Sequence, residues 1–240
     1  MKTYGVLIPA YQPDERLLDA VGQLREAGRD VIVVNDGSTG DCAAVFARMK
    51  TAFPAVHVLE HEANRGKGAA LRTGFAFFLD HFSDAFAGVV TADADGQHAL
   101  EDITRVGEAL LAEPEALVLG TRVFSEEQVP LRSRLGNTIT IAVFRLASGR
   151  KVGDTQTGLR GIPRGLAQDM LSAEEDGFDF ELEMLMRAAK AGRALHEVPI
   201  RTIYIGNNES SHFDALADSA AVYRVFWKHL VRGVKGLFGG

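Results

Sequence analysis

The sequence of 240 residues contains a single cysteine, Cys42. An intramolecular disulfide is therefore impossible, and a metal site built from several thiolates is excluded. Chains that do without disulfides suit a reducing compartment, so we expect a cytoplasmic protein.

Long apolar runs are also lacking. The N-terminal run Val6–Ile8 is broken at Pro9 and is too short for the core of a signal peptide. No segment approaches the roughly 18 apolar residues that cross a bilayer. Any contact with a membrane is therefore expected to be peripheral.

An excess of positive charge is absent from the chain as a whole. Its formal net charge is -6, so we expect no nucleic acid partner. Its 46% hydrophobic and 24% charged residues are ordinary for a folded globular protein, and its length suits one α/β domain.

Short β-rich runs alternate with amphipathic stretches of helical length. The predicted strands are Tyr4–Ile8, Val31–Val34, Val56–Leu59, Gly88–Ala92 and Ala116–Leu119. Helices are expected between them, one capped by Asp14 and one opened by Gly68. The pattern is typical of βαβ units and predicts an α/β fold with a mostly parallel central sheet flanked by helices.

The pattern changes after Thr121. A polar loop is followed by an apolar helix at Leu135–Leu146, a glycine-punctuated stretch at Thr155–Gly161 and a strong helix at Phe180–Ala191. No linker or internal repeat separates this half, so we interpret it as a subdomain.

Polar segments follow four of the predicted strands. They are Pro9–Tyr11, Asn35–Ser38, Asn64–Gly68 and Asp93–Gln97. Ligands of open parallel sheets bind beyond the carboxyl ends of the strands, so we expect these segments to converge on one cleft.

Two carboxylates and an amide follow the fourth strand, at Asp93, Asp95 and Gln97. Mg²⁺ or Mn²⁺ takes a few such oxygens and completes its shell with water and phosphates, which suits a nucleotide diphosphate. An EF-hand is excluded, because His98 and Thr104 stand where its loop needs Gly and Glu. The alternative is an acidic turn without chemistry.

Lys67, between Gly66 and Gly68, can meet phosphate oxygens at a helix N-terminus. Neither the dinucleotide fingerprint nor the P-loop is present, and a glycine-rich turn that starts a packed helix is the alternative. Asp36 can cap a turn or accept hydrogen bonds from a nucleobase, and its position favours the base. Arg122 and Arg134 can hold an anionic acceptor, with solvated surface arginines as the alternative.

The motifs occur in the order found in family 2 glycosyltransferases. They are Val6–Tyr11, Val33–Ser38 with Asn35 in place of an Asp, Asn64–Gly68, Asp93–His98 and Gly120–Arg122. Together they resemble the polyprenyl-phosphate branch of that family, which includes dolichyl-phosphate mannosyltransferase. The resemblance implies a Rossmann-like GT-A fold, a nucleotide loop at Pro9 and Tyr11, and a base contact by Asp36.

The resemblance continues on the acceptor side. Asp154–Gly158 is similar to the family's D-x-x-[SCT]-G element, Phe180–Glu181 to a helix that closes the site, and Tyr204–Phe213 to a loop of bacterial members. In those members the catalytic domain often precedes transmembrane helices. Here we expect either a soluble relative or a domain from which an anchor has been removed.

The resemblance also divides the chain. Residues 1–215 form the expected catalytic domain, with a nucleotide-sugar half at about 1–121 and an acceptor half at about 122–215. Residues 216–240 form an expected basic amphipathic helix, in which Arg224, Lys228, Arg232 and Lys235 follow the last acidic residue, Asp218. Such a helix can lie on anionic lipid at the inner face of the cell membrane or pack on the core.

The expected activity is a metal-dependent, inverting transfer of a sugar from a UDP- or GDP-linked donor to a polyprenyl phosphate in cell-envelope glycan biosynthesis. Its catalytic residues would be Asp95, Asp154, Arg122 and Arg134. A soluble glycan or protein hydroxyl is the alternative acceptor, and a catalytically silent nucleotide-binding, membrane-docking module is a further alternative. A nucleotidyltransferase needs a glycine-rich G-x-G-[ST]-R loop, where Tyr11–Asp14 stands.

Overall fold

A computed structural model describes residues 2–122, 131–177 and 179–201, with side chains from Thr140 onward in the second range. Within these ranges no helix is long and apolar enough to cross a membrane. Tyr204–Phe213 and the expected helix at 216–240 lie outside the described residues.

Seven strands form one sheet in the order β3-β2-β1-β4-β6-β5-β7. They are β1 Thr3–Ala10, β2 Asp30–Asn35, β3 His57–Glu60, β4 Phe86–Thr91, β5 Leu117–Arg122, β6 Arg160–Pro163 and β7 Leu195–Ile200. Only β6 runs antiparallel to its neighbours β4 and β5. The carboxyl ends of the parallel strands and the amino end of β6 therefore share one edge of the sheet, which we call the carboxyl edge.

Helices cover both faces of the sheet. They are α1 Arg16–Glu26, α2 Gly40–Ala52, α3 Lys67–His81, α4 Leu100–Ala112, α5 Leu131–Ser148, α6 Arg164–Met170 and α7 Asp179–Lys190. Leu7 of β1 belongs to one buried cluster and its neighbours Val6 and Ile8 to a second. This alternation along the strand gives the sheet a core on each face.

Close backbone packing sets the direction of α3. A Cβ added at Gly74 would lie 2.2 Å from the Leu7 side chain in β1, so α3 presses against the sheet at a distance that only glycine permits. The N-terminus of α3, which begins at Lys67, is thereby held at the carboxyl edge.

The predicted α/β fold with a mostly parallel sheet is confirmed, and each of the five predicted strands overlaps an observed one. The apolar helix begins at Leu131, earlier than predicted. Strands β6 and β7 were missed. Gly161 and Pro163 interrupt the first and Pro199 the second, and glycine and proline weaken the pattern by which strands are recognised.

Candidate active site

The carboxylate of Asp36, just beyond β2, holds the turn that leads into α3. Its Oδ1 accepts hydrogen bonds from the Arg65 N–H at 2.9 Å and from His61 Nδ1 at 2.6 Å, and its Oδ2 accepts from the Gly66 N–H at 2.9 Å. His61 Nε2 in turn lies 2.9 Å from Thr73 Oγ1. Asp36 thus stabilises the turn through hydrogen bonds to its main chain. Its contact with a nucleobase remains a prediction.

The end of β1 is tied to the same place. The Asp36 N–H donates to the Ala10 carbonyl at 2.9 Å, and the Gln12 N–H donates to Ser38 Oγ at 2.9 Å. Pro9 lies inside β1, opposite Val34 and buried, whereas Tyr11 is 36% exposed at the rim. Of the two residues predicted for the nucleotide loop, only Tyr11 presents its side chain outside the sheet.

The first turn of α3 is pressed against the segment before α7. A Cβ at Gly66, where φ is +93°, would lie 2.3 Å from the Asp176 carbonyl oxygen, so only glycine fits there. The Gly68 N–H donates to the same carbonyl at 2.7 Å. The glycines around Lys67 therefore join the two halves of the chain.

Lys67 and Asp93 form the central ion pair of the carboxyl edge. Lys67 Nζ lies 2.6 Å from Asp93 Oδ1 and 3.1 Å from Glu181 Oε1, while His98 Nε2 lies 3.1 Å from Asp93 Oδ2. Burial raises the pKa of Asp93, but the charges of Lys67 and His98 outweigh it and hold that pKa well below its ordinary range.

Asp95 lies beside this pair in a different environment. Burial, reinforced by the negative charge of Asp93, raises the pKa of its carboxyl. Its Oδ1 accepts the Gln97 N–H at 3.0 Å, which closes the turn after β4. The charged form of Asp95 is destabilised beside the carboxylate of Asp93. A cation bound between the two would relieve this repulsion.

The loop before β6, from the C-terminal part of the described chain, reaches the same carboxylate. A Cβ at Gly158 would lie 2.3 Å from Asp93 Oδ2, and Thr91 Oγ1 donates to the Gly158 carbonyl at 2.8 Å. Because β6 is antiparallel, its preceding loop opens onto the carboxyl edge, and Gly158 rests directly on Asp93.

Arg160 holds that loop in shape through hydrogen bonds to its main-chain carbonyls. Its guanidinium is fully buried and donates to the carbonyls of Thr157 at 2.9 Å, Thr155 at 3.0 Å and Glu181 at 2.5 Å. Burial lowers its pKa, and the carboxylates of Glu181, Asp154 and Asp93 oppose that shift. Sequence reasoning did not single out Arg160, since a lone arginine at the start of a short strand gives no pattern.

Arg122 and Asp154 form a two-pronged ion pair. Arg122 Nε and Nη2 donate to the two Asp154 oxygens at 2.7 and 3.1 Å, and the Gln156 N–H also donates to Asp154. The Asp154 side chain is fully buried, and that of Arg122 is 29% exposed. Arg134 lies in α5, but its side chain is outside the described part of the chain, so its prediction is untested.

The donor atoms present fit a hard divalent cation held by few protein ligands. Among the residues that the structure describes, no three His, Cys, Asp or Glu side chains are grouped to bind a metal. Asp93 and Asp95 supply two carboxylates, which is the number such an ion uses when phosphates complete its shell. The ligand set Asp93, Asp95 and Gln97 therefore remains a prediction.

A sheet order that reverses beside β1, with polar groups gathered at its carboxyl edge, is typical of α/β proteins that bind a ligand where the strand order reverses. The family model for glycosyl transferase family 2 matches residues 5–170, and the chain belongs to that family. It is a glycosyltransferase, as the sequence resemblance implied.

Two named relatives, one bacterial and one archaeal, are each 30% identical to the chain. The undecaprenyl-phosphate mannosyltransferase of Micrococcus luteus is 30% identical over 92% of this chain and 92% of its own length. The UDP-N-acetylglucosamine–dolichyl-phosphate N-acetylglucosaminyltransferase of Methanococcus voltae is 30% identical over 85% of this chain and 86% of its own length.

Among solved structures, a mannosyltransferase from Pyrobaculum calidifontis, in complex with GDP-Man and Mn²⁺, superposes with a TM-score of 0.58. It is 18% identical, and the match covers 98% of this chain but 65% of that one. The likeness confirms the GT-A fold.

Proposed function

We propose that the protein transfers a sugar, with inversion and with the help of a divalent metal, from a UDP- or GDP-linked donor to a polyprenyl phosphate. The observation that carries the proposal is the meeting of both halves at Asp93, which contacts Lys67 of the nucleotide half and underlies Gly158 of the acceptor half. The activities named for the Micrococcus and Methanococcus relatives support the choice of acceptor.

Donor binding is assigned to the ends of β1, β2 and α3. Tyr11 is exposed at the rim for a base or ribose, while Asp36 holds the Arg65–Gly66 turn whose shape the nucleotide meets. Lys67 supplies an ammonium at the N-terminus of α3. Its charge and the positive end of the helix dipole would both attract the diphosphate.

Asp93, Asp95 and Gln97 are the residues that would hold Mg²⁺ or Mn²⁺. When bound, such an ion neutralises the negative charge that grows on the departing diphosphate. The complex of the Pyrobaculum protein with GDP-Man and Mn²⁺ supports the choice of a divalent ion.

In the transfer itself an acceptor oxygen forms a bond to the anomeric carbon while the bond from that carbon to the diphosphate oxygen breaks. The nucleoside diphosphate leaves with the electron pair, and a single displacement inverts the configuration. A lipid monophosphate is already anionic near neutral pH, so the reaction needs no strong general base. Arg122 and Arg134 would position its phosphate.

A hydroxyl acceptor on a soluble glycan or protein would need such a base, and Asp154 is the candidate for it. Both Asp154 oxygens are engaged by Arg122, and the side chain is fully buried. This arrangement favours a positioning role for Asp154 and therefore the phosphate acceptor. A silent nucleotide-binding module would show no transfer at all.

The test begins with a thermal-shift panel of UDP- and GDP-linked sugars, each with and without Mn²⁺ or Mg²⁺, because binding of the correct donor stabilises the fold. Transfer from that donor to undecaprenyl phosphate in detergent is then compared with transfer to soluble glycans. We expect product only with the lipid phosphate, and Asp95→Ala should lower the rate by about a hundredfold or more. Transfer only to hydroxyl acceptors, or an unaffected Asp95→Ala variant, contradicts the proposal.

We further propose that residues 1–215 form the catalytic domain and that residues 216–240 lie on the inner face of the cell membrane. The support is the separation of basic and apolar residues along that segment in the sequence. Flotation with anionic vesicles, with and without the residues after Asp218, tests this, and equal recovery of both forms contradicts it.

A further inference from the structure

Lys67 stands between two carboxylates that come from different halves of the chain. Its Nζ is 2.6 Å from Asp93 Oδ1 and 3.1 Å from Glu181 Oε1. The Lys67 side chain is 18% exposed and that of Glu181 is 8% exposed. A buried ammonium shared in this way is strongly held in its charged form.

The position of Glu181 is fixed by contacts that do not involve its carboxylate. Its main-chain carbonyl accepts a hydrogen bond from the buried guanidinium of Arg160. Its neighbour Phe180 packs so closely on α3 that a Cβ at Gly68 would lie 2.7 Å from the Phe180 Cβ. Glu181 is thus held beside Lys67 by the docking of α7 on α3.

The ammonium and a divalent ion would use the same carboxylate. Lys67 engages Asp93 Oδ1 and His98 engages Asp93 Oδ2, so both oxygens of Asp93 already have partners. An ion that binds Asp93 therefore competes with Lys67 for this ligand. An ammonium with no second carboxylate in reach would resist that exchange.

We propose that Glu181 is a positioning residue for metal binding, acting through Lys67. Before the ion binds, Lys67 neutralises the charge of Asp93. When the ion binds Asp93, Glu181 retains Lys67 beside the ion, where its ammonium faces the diphosphate of the donor. The inference rests on the proposed function, since it assumes that Asp93 and Asp95 hold the ion.

The two substitutions that test this have opposite expected signs. Glu181→Gln keeps the shape of the side chain but removes its charge, so Asp93 becomes the main partner of Lys67. This variant should weaken Mn²⁺ binding in the absence of donor by about tenfold or more. Lys67→Met removes the competing ammonium and should tighten donor-free Mn²⁺ binding, by about tenfold. Titration calorimetry with MnCl₂ and no donor measures both constants.

The double variant separates positioning from direct coordination. If Glu181 acts through Lys67, Glu181→Gln should weaken Mn²⁺ binding much less in the Lys67→Met background than in the wild type. An equal or larger loss in that background would mean that Glu181 coordinates the ion itself, and this overturns the inference. Weakened binding by Lys67→Met, or an unchanged constant for Glu181→Gln, overturns it as well.

The exposed pair Lys50 and Glu60, 2.9 Å apart, supplies matched controls. Lys50→Met and Glu60→Gln make the same chemical changes in a solvent-exposed pair between α2 and the end of β3, and they should leave the Mn²⁺ constant unchanged. If Lys67→Met does not fold, as judged by circular dichroism, Lys67→Gln carries the same test with a polar end between the carboxylates.

Parallel transfer assays keep the two proposals apart. A wild type that transfers sugar, with variants that leave the Mn²⁺ constant unchanged, removes the inference and leaves the proposed function standing. The expected shifts in a wild type that transfers no sugar would support the inference and the metal site on which it rests, and would remove only the proposed transfer activity. A wild type that binds no Mn²⁺ without donor overturns the inference.

Discussion

Gly158 rests on Asp93 so closely that a Cβ added to it would lie 2.3 Å from Asp93 Oδ2 and 2.7 Å from Oδ1. Its backbone lies outside the left-handed region, so the close approach alone requires glycine at this position. The loop before β6 thereby limits how far the Asp93 carboxylate can turn.

Gly158→Ala should therefore displace Asp93 with little change elsewhere. We expect the rate of sugar transfer to fall by about a hundredfold, because a shift of about 1 Å at a reacting centre is enough for such a loss. The circular dichroism spectrum should remain that of the wild type.

Gly153→Ala is the matched control in the same loop. The nearest atoms to the Cβ it adds would be Glu197 Oε1 at 3.0 Å and Thr121 Cγ2 at 3.1 Å, neither as close as the 2.3 Å approach at Gly158. The control should keep most of the activity. Equal losses in the two variants would contradict the role given to the contact between Gly158 and Asp93.

The ion pair of Arg122 and Asp154 predicts that lysine cannot replace arginine. Arg122 donates to Asp154 from two nitrogens, whereas a lysine has a single donor nitrogen. Arg122→Lys therefore loses one of the two charge-assisted hydrogen bonds. Such a bond contributes about 1.5–3 kcal/mol, so kcat/KM for the lipid phosphate should fall about tenfold or more. Steady-state kinetics with a varied acceptor concentration measures this.

The same pair distinguishes positioning by Asp154 from base catalysis. Asp154→Asn should lower transfer while the shape of the pH–rate profile is preserved, because the carboxylate would only hold Arg122 in place. Disappearance of the acidic limb of the profile in this variant would instead identify Asp154 as a general base, and with it a hydroxyl acceptor.

The buried guanidinium of Arg160 predicts a large loss of stability on substitution. Arg160→Gln leaves at least two of the three carbonyls without their donor, and we expect the free energy of unfolding to fall by about 3–5 kcal/mol. Arg164 also donates to two carbonyls, both at 3.0 Å, but its side chain is 27% exposed. Arg164→Gln should therefore lose clearly less in urea denaturation, and equal losses would contradict the role of burial.

Parts of the site could be predicted because they follow strands. Asp36 and Asp93 come directly after apolar runs, and the order of strands brings the ends of such runs to one edge. The partners of these residues were not predictable in the same way. His61 meets Asp36, Glu181 meets Lys67 and Gly158 meets Asp93 only through tertiary packing, which no local spacing encodes.

The short strand β6 shows the same limit in the fold. Its four residues include Gly161 and Pro163, and it is held by pairing with β4 and β5 on both sides. Strand propensity reflects such surroundings more than intrinsic preference, so the segment appeared as a loop in the sequence. Its antiparallel direction, which delivers Asp154 and Gly158 to the carboxyl edge, was likewise not readable.

His57 in the edge strand β3 predicts a specific dependence of stability on pH. His57 is exposed as a residue, but its ring packs with centroid distances of 5.0 Å to Phe77 and 5.6 Å to Phe82, and this partial loss of solvent lowers the pKa of the imidazole. The pKa of His57 is lower in the folded protein than in the unfolded chain, where it is about 6.5. The neutral imidazole therefore stabilises the fold at pH values above about 6.5, and this contribution is lost as the pH falls through the folded-state pKa. Thermal unfolding between about pH 7.5 and pH 5 should therefore show a steeper fall in melting temperature for the wild type than for His57→Gln. All other titrating groups are common to the two proteins, so equal slopes would contradict the assignment to His57.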